Sequence, residues 1–138
     1  SLTFTGVSVG NPHCVLFREK GQPWTRDELL ALGPELEHHE LFPRRTNVQL
    51  AVPVGRRSLY ILIWERGAGE TQASGSSSCA AAAAAVRLGL VQSPVTVKAP
   101  GGSLHIDVRG HDFDLTMQGP VAEVFSGRLT PAFVRELK

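Results

Sequence analysis

The chain has 138 residues, of which 42% are hydrophobic and 20% charged, so it is large enough for one folded domain and too short for two of ordinary size. Its 14 basic and 13 acidic residues leave a net charge of +1, which provides no broad field to attract nucleic acid or anionic lipid. The longest apolar stretch, residues 79–86, is far below the roughly 20 residues that span a bilayer. We therefore expect no nucleic-acid partner and no membrane partner.

Cysteine usage and the first residues bear on the cell compartment. Only Cys14 and Cys79 are present, which is too few for a disulfide scaffold and typical of a reducing environment. The residues after Ser1 lack the basic and apolar segments of a secretory signal. These features predict a cytoplasmic location.

The first elements in chain order are predicted to be two strands and a helix. Residues 2–9 alternate apolar and small polar side chains, and the apolar run 14–17 follows an Asn-Pro turn, so both segments are predicted strands. Thr25 and Glu28 have the spacing of a capping box, which predicts a helix over about 26–38. The apolar stripe of this helix comprises Leu29, Leu30, Leu32 and Leu36.

A hairpin and an alanine-rich helix are predicted next. Runs of β-forming residues at 48–52 and 58–64 flank a loop with proline and glycine. The glycine-rich loop 67–75 then leads into serines and alanines, which predicts a helix from about Ser76 to Gly89. Because this helix has small residues on every side, other backbones can approach it closely. We expect it to lie in the middle of the domain, surrounded by sheet.

The last third of the chain is predicted to be a meander followed by a short helix. Short strands separated by glycine-containing turns are predicted at 94–98, 103–108, 112–117 and 121–125. Thr130 and Pro131 open the final helix, because proline is well tolerated at the first helical position.

The junction between the glycine-rich loop and the alanine helix is a candidate anion site. Small residues allow several backbone N–H groups to converge, and a helix N-terminus carries about half a positive charge, so a carboxylate or oxyanion fits there. The alternative is a tight turn that needs glycine only for its backbone. The loop matches neither a P-loop nor a dinucleotide fingerprint.

Three charged or titratable residues are further candidates. Glu65 and Arg66 follow an apolar strand, where they either serve a site or form a surface ion pair. His13 is predicted in a turn, where an imidazole can act as acid, base or orienting group, although a turn histidine is commonly a surface residue. The other histidines lack metal-ligand spacing with the cysteines, so no metal site is predicted.

Four motifs in chain order resemble the diaminopimelate epimerase family. They are Gly10-Asn11-Pro12-His13-Cys14, Arg45-Thr46-Asn47-Val48, Trp-Glu-Arg-Gly-Ala-Gly-Glu-Thr at 64–71 and Ala-Ser-Gly-Ser-Ser-Ser-Cys-Ala at 73–80. The resemblance covers nearly the whole chain but only the family's second, C-terminal lobe. It implies an α+β fold, a curved mixed β-sheet wrapped around a central α-helix, with residues 1–138 forming a single domain. The active site of the family lies in the cleft between two such lobes.

The function implied by the resemblance is that of an amino-acid epimerase or racemase in lysine and peptidoglycan-precursor biosynthesis, with no cofactor. One cysteine from each lobe acts on opposite faces of the α-carbon, so that one thiolate removes the α-proton while the other thiol delivers a proton. Backbone amides at two helix N-termini hold the α-carboxylate. The implied partners are a small amino-acid substrate with a free carboxylate and the missing N-terminal lobe. A homodimer, in which a second copy replaces that lobe, is an alternative.

The resemblance also implies roles for individual residues. The family's substrate-binding positions fall on six residues: Asn11, Asn47, Glu65, Arg66, Gly75 and Ser76. Gly75 and Ser76 match the carboxylate-holding positions, and the other four match positions that grip the distal end of the substrate. His13 and Glu65 match groups that influence the proton of the catalytic thiol. The presence of Glu65 and Arg66 favours a substrate with a charged distal end, such as diaminopimelate, over proline.

One catalytic position departs from the family. Its second-lobe cysteine falls at Ser74, and Cys79 matches a separate family cysteine one helical turn later. A helix N-terminus can convert a thiol of pKa about 8.5 into a thiolate, but an alcohol is a far weaker acid. Ser74 could therefore donate or relay a proton but would be a poor base. A parent epimerase, a related lyase that uses the other lobe's base, and an impaired carboxylate-binding module all remain open, and the isolated lobe is expected to be nearly inert.

Overall fold

The computed structural model describes all 138 residues as eight strands and three helices. In chain order these are β1 (Thr5–Ser8), β2 (Pro12–Phe17), α1 (Arg26–Glu37), β3 (Asn47–Gly55), β4 (Ser58–Glu65), β5 (Gly69–Thr71), α2 (Gly75–Arg87), β6 (Val95–Ala99), β7 (Gly102–Arg109), β8 (Asp114–Gln118) and α3 (Pro131–Glu136). No helix is both long and apolar enough to cross a membrane.

All eight strands belong to one mixed sheet. The strand order is β1-β2-β3-β4-β6-β7-β8, and β5 pairs with the end of β4. The β2–β3 and β4–β6 pairs are parallel, whereas the other neighbours are antiparallel. The predicted hairpin therefore forms, with β3 and β4 extending beyond both predicted runs.

Helix α2 lies against the sheet along its whole width, in contact with β1 to β4 and with β6 to β8. The six alanines at 80–85 are at most 8% exposed. Because alanine adds little bulk, strands can approach the helix closely from several directions and the sheet can curl around it. The predicted curved mixed sheet around a central alanine helix is confirmed.

Two apolar clusters lie on opposite faces of the sheet. On the inner face, strand residues such as Val15, Ile61 and Ile63 pack against the alanines of α2. On the outer face, Leu29 of α1 packs in a second cluster with Leu16 and side chains of β3 and β4. Because side chains alternate along a strand, odd-numbered residues of β2, β3 and β4 point to α2 and even-numbered residues point to α1.

Helix α1 begins with the predicted capping box. Thr25 accepts a hydrogen bond from the backbone of Glu28, and Glu28 accepts one from the backbone of Thr25. Later in the helix, a Cβ on Gly33 would lie only 2.4 Å from the ring of Trp64, so glycine is needed for this close approach. Of the predicted stripe, Leu30 is 38% exposed and lies outside the core.

Two predictions differ from the structure in the second half of the chain. The glycine-rich loop contains the short strand β5, because the chain after Arg66 turns back to pair with the end of β4. The strand predicted at 121–125 is wrong, since this segment is irregular and Val121 is 96% exposed. Its β-forming residues have no neighbouring strand to pair with, and propensity alone does not make a strand.

Candidate active site

The candidate residues meet at the end of the sheet where α2 begins. β2 and β3 start side by side, with His13 opposite Asn47, and β4 ends nearby at Glu65. All three are odd-numbered, so their side chains lie on the inner face that α2 covers. The alternation of the strands thus brings together residues that are up to 52 positions apart in sequence.

His13 is held by hydrogen bonds on both ring nitrogens. Nε2 lies 3.1 Å from Asn11 Oδ1, and Nδ1 lies 2.9 Å from Nε2 of Gln49. The same Gln49 nitrogen donates to the hydroxyl of Ser77 at 3.0 Å. The prediction that His13 lies in a turn is wrong, because it is the second residue of β2 and is 1% exposed.

The environment of His13 favours its neutral form. Burial lowers its pKa and the charge on Arg66 lowers it further, while the hydrogen bond with Gln49 and the charge on Glu65 act in the opposite direction. The net pKa lies below the ordinary value of 6.5. His13 is therefore uncharged at neutral pH and can accept or position a proton there.

The start of α2 retains free backbone donors. Ser74 is the N-cap, and its hydroxyl accepts from the backbone N–H of Ser77 at 3.3 Å. The backbone and hydroxyl of Ser78 both donate to the Ser74 carbonyl. The N–H groups of Gly75 and Ser76 make no hydrogen bond within the chain. Two adjacent donors thus remain at the positive end of the helix.

The surroundings of Ser74 are open enough for a small ligand. A cavity of about 270 Å³ is lined by Ser74, Gly75 and residues of the β6–β7 turn, including Gly101. A Cβ on Gly101 would meet the carbonyl of Gln72 at 2.9 Å, so this turn lies tightly against the loop before α2. The tight turn considered from the sequence is therefore present, because Gly101 packs closely against the loop. The N–H donors required for an anion site are present as well.

Asn47 and Glu65 fix the charged loop after β4. The Asn47 amide donates to the carbonyl of Pro12 at 3.0 Å and accepts from the backbone N–H of Arg66 at 2.8 Å. Glu65 accepts from the hydroxyl of Thr71 at 3.1 Å. Arg66 donates to a backbone carbonyl and makes no ion pair with Glu65, so the surface ion pair considered from the sequence does not form.

Sequence reasoning missed a buried carboxylate that supports this loop. Glu37, at the end of α1, accepts hydrogen bonds of 2.8 Å from the Trp64 indole and from the backbone of Gly67, and pairs with Arg45. Burial acts to raise the pKa of Glu37, but these donors and the charges of His38 and Arg45 outweigh it and hold the pKa below 4.5. The only sequence signal for Glu37 is its position at the end of a predicted amphipathic helix.

The lowered pKa of Glu37 predicts a pH-dependent contribution to stability. A carboxylate with a lowered pKa stabilises the fold above its unfolded-state value and loses this effect as pH falls through the folded-state pKa. We expect Glu37→Gln to reduce the free energy of unfolding by about 2 kcal/mol at pH 7, because buried donors lose a charged acceptor. Urea unfolding should show that the difference in free energy of unfolding between wild type and Glu37→Gln becomes smaller below about pH 4. Glu35→Gln, on the exposed face of α1, should change little, and an equal effect of both variants would contradict this assignment.

Neither cysteine has the properties of a reactive thiol. Burial raises the pKa of Cys14 to about 12 and also raises that of Cys79. Cys14 is on the outer face of the sheet with α1, away from the His13 side. No group of three or more His, Cys, Asp or Glu side chains is arranged to hold a metal ion.

Comparison with known sequences identifies relatives along most of the chain. A sequence model of the family named diaminopimelate epimerase matches residues 5–124. The chain is 46% identical to the diaminopimelate epimerase of Stutzerimonas stutzeri over 123 residues, which is 89% of this chain and 44% of the relative. It is 47% identical to that of Desulfitobacterium hafniense over 126 residues, which is 91% of this chain and 43% of the relative. The chain therefore spans less than half the length of these relatives.

Solved structures provide an independent comparison of the fold. A phenazine biosynthesis protein of the PhzF family from Bacillus anthracis superimposes with a TM-score of 0.58 at 12% identity, over 84% of this chain and 38% of that one. One from Enterococcus faecalis gives 0.55 at 18% identity, over 72% of this chain and 35% of that one. At such identities the likeness concerns the fold alone. The family match and the 46–47% identities show that this chain belongs to the diaminopimelate epimerase family.

Proposed function

We propose that this chain is the C-terminal lobe of a two-lobed amino-acid epimerase that works without a cofactor. In this proposal the lobe supplies one wall of the active-site cleft, and a second lobe supplies the other wall and the thiol that acts from the opposite face. The free N–H groups of Gly75 and Ser76, beside Ser74, are the observation that carries the proposal.

The two free donors suit the reaction because of where charge develops. Removal of the α-proton places negative charge on the α-carbon and, by delocalisation, on the adjacent carboxylate. Backbone N–H groups already aligned at a helix N-terminus stabilise this charge without having to reorient. Gly75 and Ser76 would hold the carboxylate, with Ser74 at the position of acid or base facing the α-carbon.

The charged loop supports a substrate with two charged ends. Arg66 follows the last residue of β4 and forms no ion pair, so its guanidinium can bind a carboxylate. Glu65 can bind an ammonium group, and Asn11, whose Oδ1 contacts His13, offers its amide N–H groups. We propose that these residues, with Asn47 positioning the Arg66 backbone, recognise the distal amino acid group of a diaminopimelate-like substrate.

A carboxylate-binding module with impaired catalysis is the second candidate, and Ser74 favours it. The Ser74 hydroxyl serves as the helix cap, and an alcohol does not become a good base in this setting. Such a module would retain the donors of Gly75 and Ser76 but would not exchange a proton at the α-carbon. A lyase that uses only the base of the other lobe would share this binding mode.

The exposed C-terminal segment supports a contact with a second lobe. Every residue from Thr116 to Lys138 is exposed, including the apolar side chains of Val124, Phe125 and Leu129. Apolar surface of this kind typically marks a protein contact. We propose that the segment packs on the N-terminal lobe. If a second copy of the chain occupies this role, sedimentation should reveal a dimer, and a monomer at high concentration would exclude that arrangement.

Exchange of the substrate α-proton in deuterated water tests the proposed function. We expect this 138-residue chain alone to exchange diaminopimelate no faster than buffer, because the second face of the α-carbon has no acid or base. Addition of an N-terminal lobe from a related epimerase should bring exchange above that background. Enzymatic exchange by the isolated chain, or none by the assembled lobes despite measurable diaminopimelate binding, would argue against a shared epimerase site. Binding without exchange would favour the module.

A further inference from the structure

Gln49 occupies an unusual place between two parts of the candidate site. It is on β3, fully buried, and flanked by the apolar residues Val48 and Leu50. Its amide nitrogen bridges His13 Nδ1 at 2.9 Å and Ser77 Oγ at 3.0 Å, so it joins the imidazole to the first turn of α2. Its Oε1 is a buried polar side-chain atom without a hydrogen-bond partner.

The buried Gln49 amide destabilises the fold through its unpaired oxygen, so its hydrogen bonds must serve another purpose. An unpaired buried acceptor destabilises the fold, and an apolar residue at position 49 would avoid this loss. The amide instead places both N–H groups on His13 and Ser77. Ser77 in turn donates its backbone N–H to the hydroxyl of Ser74. A continuous series of hydrogen bonds thus runs from Asn11 through His13, Gln49 and Ser77 to Ser74.

We propose that Gln49 is a positioning residue that fixes the tautomer and orientation of His13 relative to the N-terminus of α2. The side-chain Oδ1 of Asn11 accepts from Nε2–H, which leaves Nδ1 as the acceptor for the Gln49 amide. Both contacts favour the same neutral tautomer, with the proton on Nε2. The relevance of this tautomer to proton transfer rests on the proposed function, but its control by Gln49 does not.

Gln49 can also accommodate a protonated ring. Rotation of the amide by half a turn brings Oε1 to Nδ1 and to the Ser77 hydroxyl, where it can accept from both. The oxygen thereby gains two hydrogen bonds with the imidazolium form, and the amide NH2 group takes the position that has no hydrogen-bond partner. The charged groups near the ring are Glu65 and Arg66, and they contribute with opposite signs. Position 49 therefore decides how readily His13 can hold a proton during a reaction.

Nitrogen-15 NMR of the histidine rings in this chain tests the proposal without an activity assay. The wild-type spectrum should show His13 as the Nε2–H tautomer. Gln49→Leu should give a mixture of tautomers and a lower pKa for His13. Gln49→Glu should shift the ring to Nδ1–H donation and raise its pKa by one unit or more, because a carboxylate stabilises the imidazolium. His105, which contacts Thr96 on β6, is the internal control and should not change.

Several outcomes would overturn the assignment. A wild-type ring protonated on Nδ1, or a His13 signal that is the same in folded wild-type, Gln49→Leu and Gln49→Glu proteins, would show that Gln49 does not set the tautomer. If the Gln49 variants do not fold, Ser77→Ala provides a second test, because loss of one anchor should broaden or split the His13 signals. A ring that follows position 49 in a protein without α-proton exchange would support this inference while the proposed function failed.

Discussion

Replacing Ser74 with cysteine is expected to increase α-proton exchange by the proposed two-lobed protein about 10²- to 10⁴-fold, the range that a well-placed acid or base contributes. A thiol at the N-cap of α2 would lie at the positive end of the helix, next to the free donors of Gly75 and Ser76. It can therefore form a thiolate near neutral pH, which the serine alcohol cannot do. The exchange rate in deuterated water, measured with each stereoisomer of diaminopimelate, checks this result.

Thiol reactivity makes the Ser74→Cys experiment informative even without a partner lobe. The new thiol should titrate below the ordinary value of about 8.5. The native thiols provide a low background, because burial raises the pKa of both Cys14 and Cys79. The variant should lose about 1 kcal/mol of stability, since sulfur is a weaker cap than oxygen. Ser58→Cys is the control, because Ser58 begins β4 at the end away from Glu65 and the candidate site. Its thiol should not show the reactivity expected at position 74. An unreactive thiol at position 74, or no gain in exchange despite a thiolate, would remove Ser74 from the acid/base position.

Replacing Arg66 with alanine is expected to raise the KM of the proposed two-lobed protein for diaminopimelate by about 10- to 100-fold, with a smaller change in kcat. A hydrogen bond to a charged group contributes about 1.5–3 kcal/mol, and the distal carboxylate would lose it in the ground state and the transition state alike. The loop itself should persist, because Asn47 and Glu37 bind the backbone of residues 66 and 67. Steady-state kinetics of Arg66→Ala and wild type check this result.

A matched control separates substrate recognition from a general charge effect. Arg109 is an exposed cation on β7 that pairs with Asp107 on another part of the sheet, so Arg109→Ala removes a positive charge away from the candidate site. It should leave the KM unchanged. If Arg66→Ala lowers kcat and leaves KM unchanged, Arg66 does not bind the distal end. The same conclusion follows if Arg66→Ala and Arg109→Ala have equal effects.

The local elements of the fold were largely predictable. Capping at Thr25, the serine start and alanine body of α2, and Pro131 at the start of α3 are signals read within one helical turn. Two features could not be predicted from local signals: the segment 121–125 does not form the predicted strand, and β5 forms although it was not predicted. Whether a β-forming segment pairs depends on a neighbouring strand, which a local pattern does not contain.

The candidate site was predictable only in part. The loop before α2 and the charged pair at Glu65 and Arg66 were visible as motifs, and family resemblance implied their roles. Gln49 and Glu37 were not found, because a polar residue in an apolar strand or at a helix end has many structural uses. Their importance lies in partners 28 to 36 residues away, such as Ser77 for Gln49, Gly67 for Glu37 and His13 for Gln49.

The sequence by itself determined the family and the central position of the small-residue helix, and the family resemblance implied that Ser74 stands where a thiol is expected, because each is a property of residue identity or local spacing. Only the tertiary structure decided that His13 is buried, that Asn47 holds the Arg66 backbone and that the donors of Gly75 and Ser76 remain free. These features depend on which strands lie side by side and on which hydrogen bonds are already satisfied, and such pairing arises only when distant segments pack together.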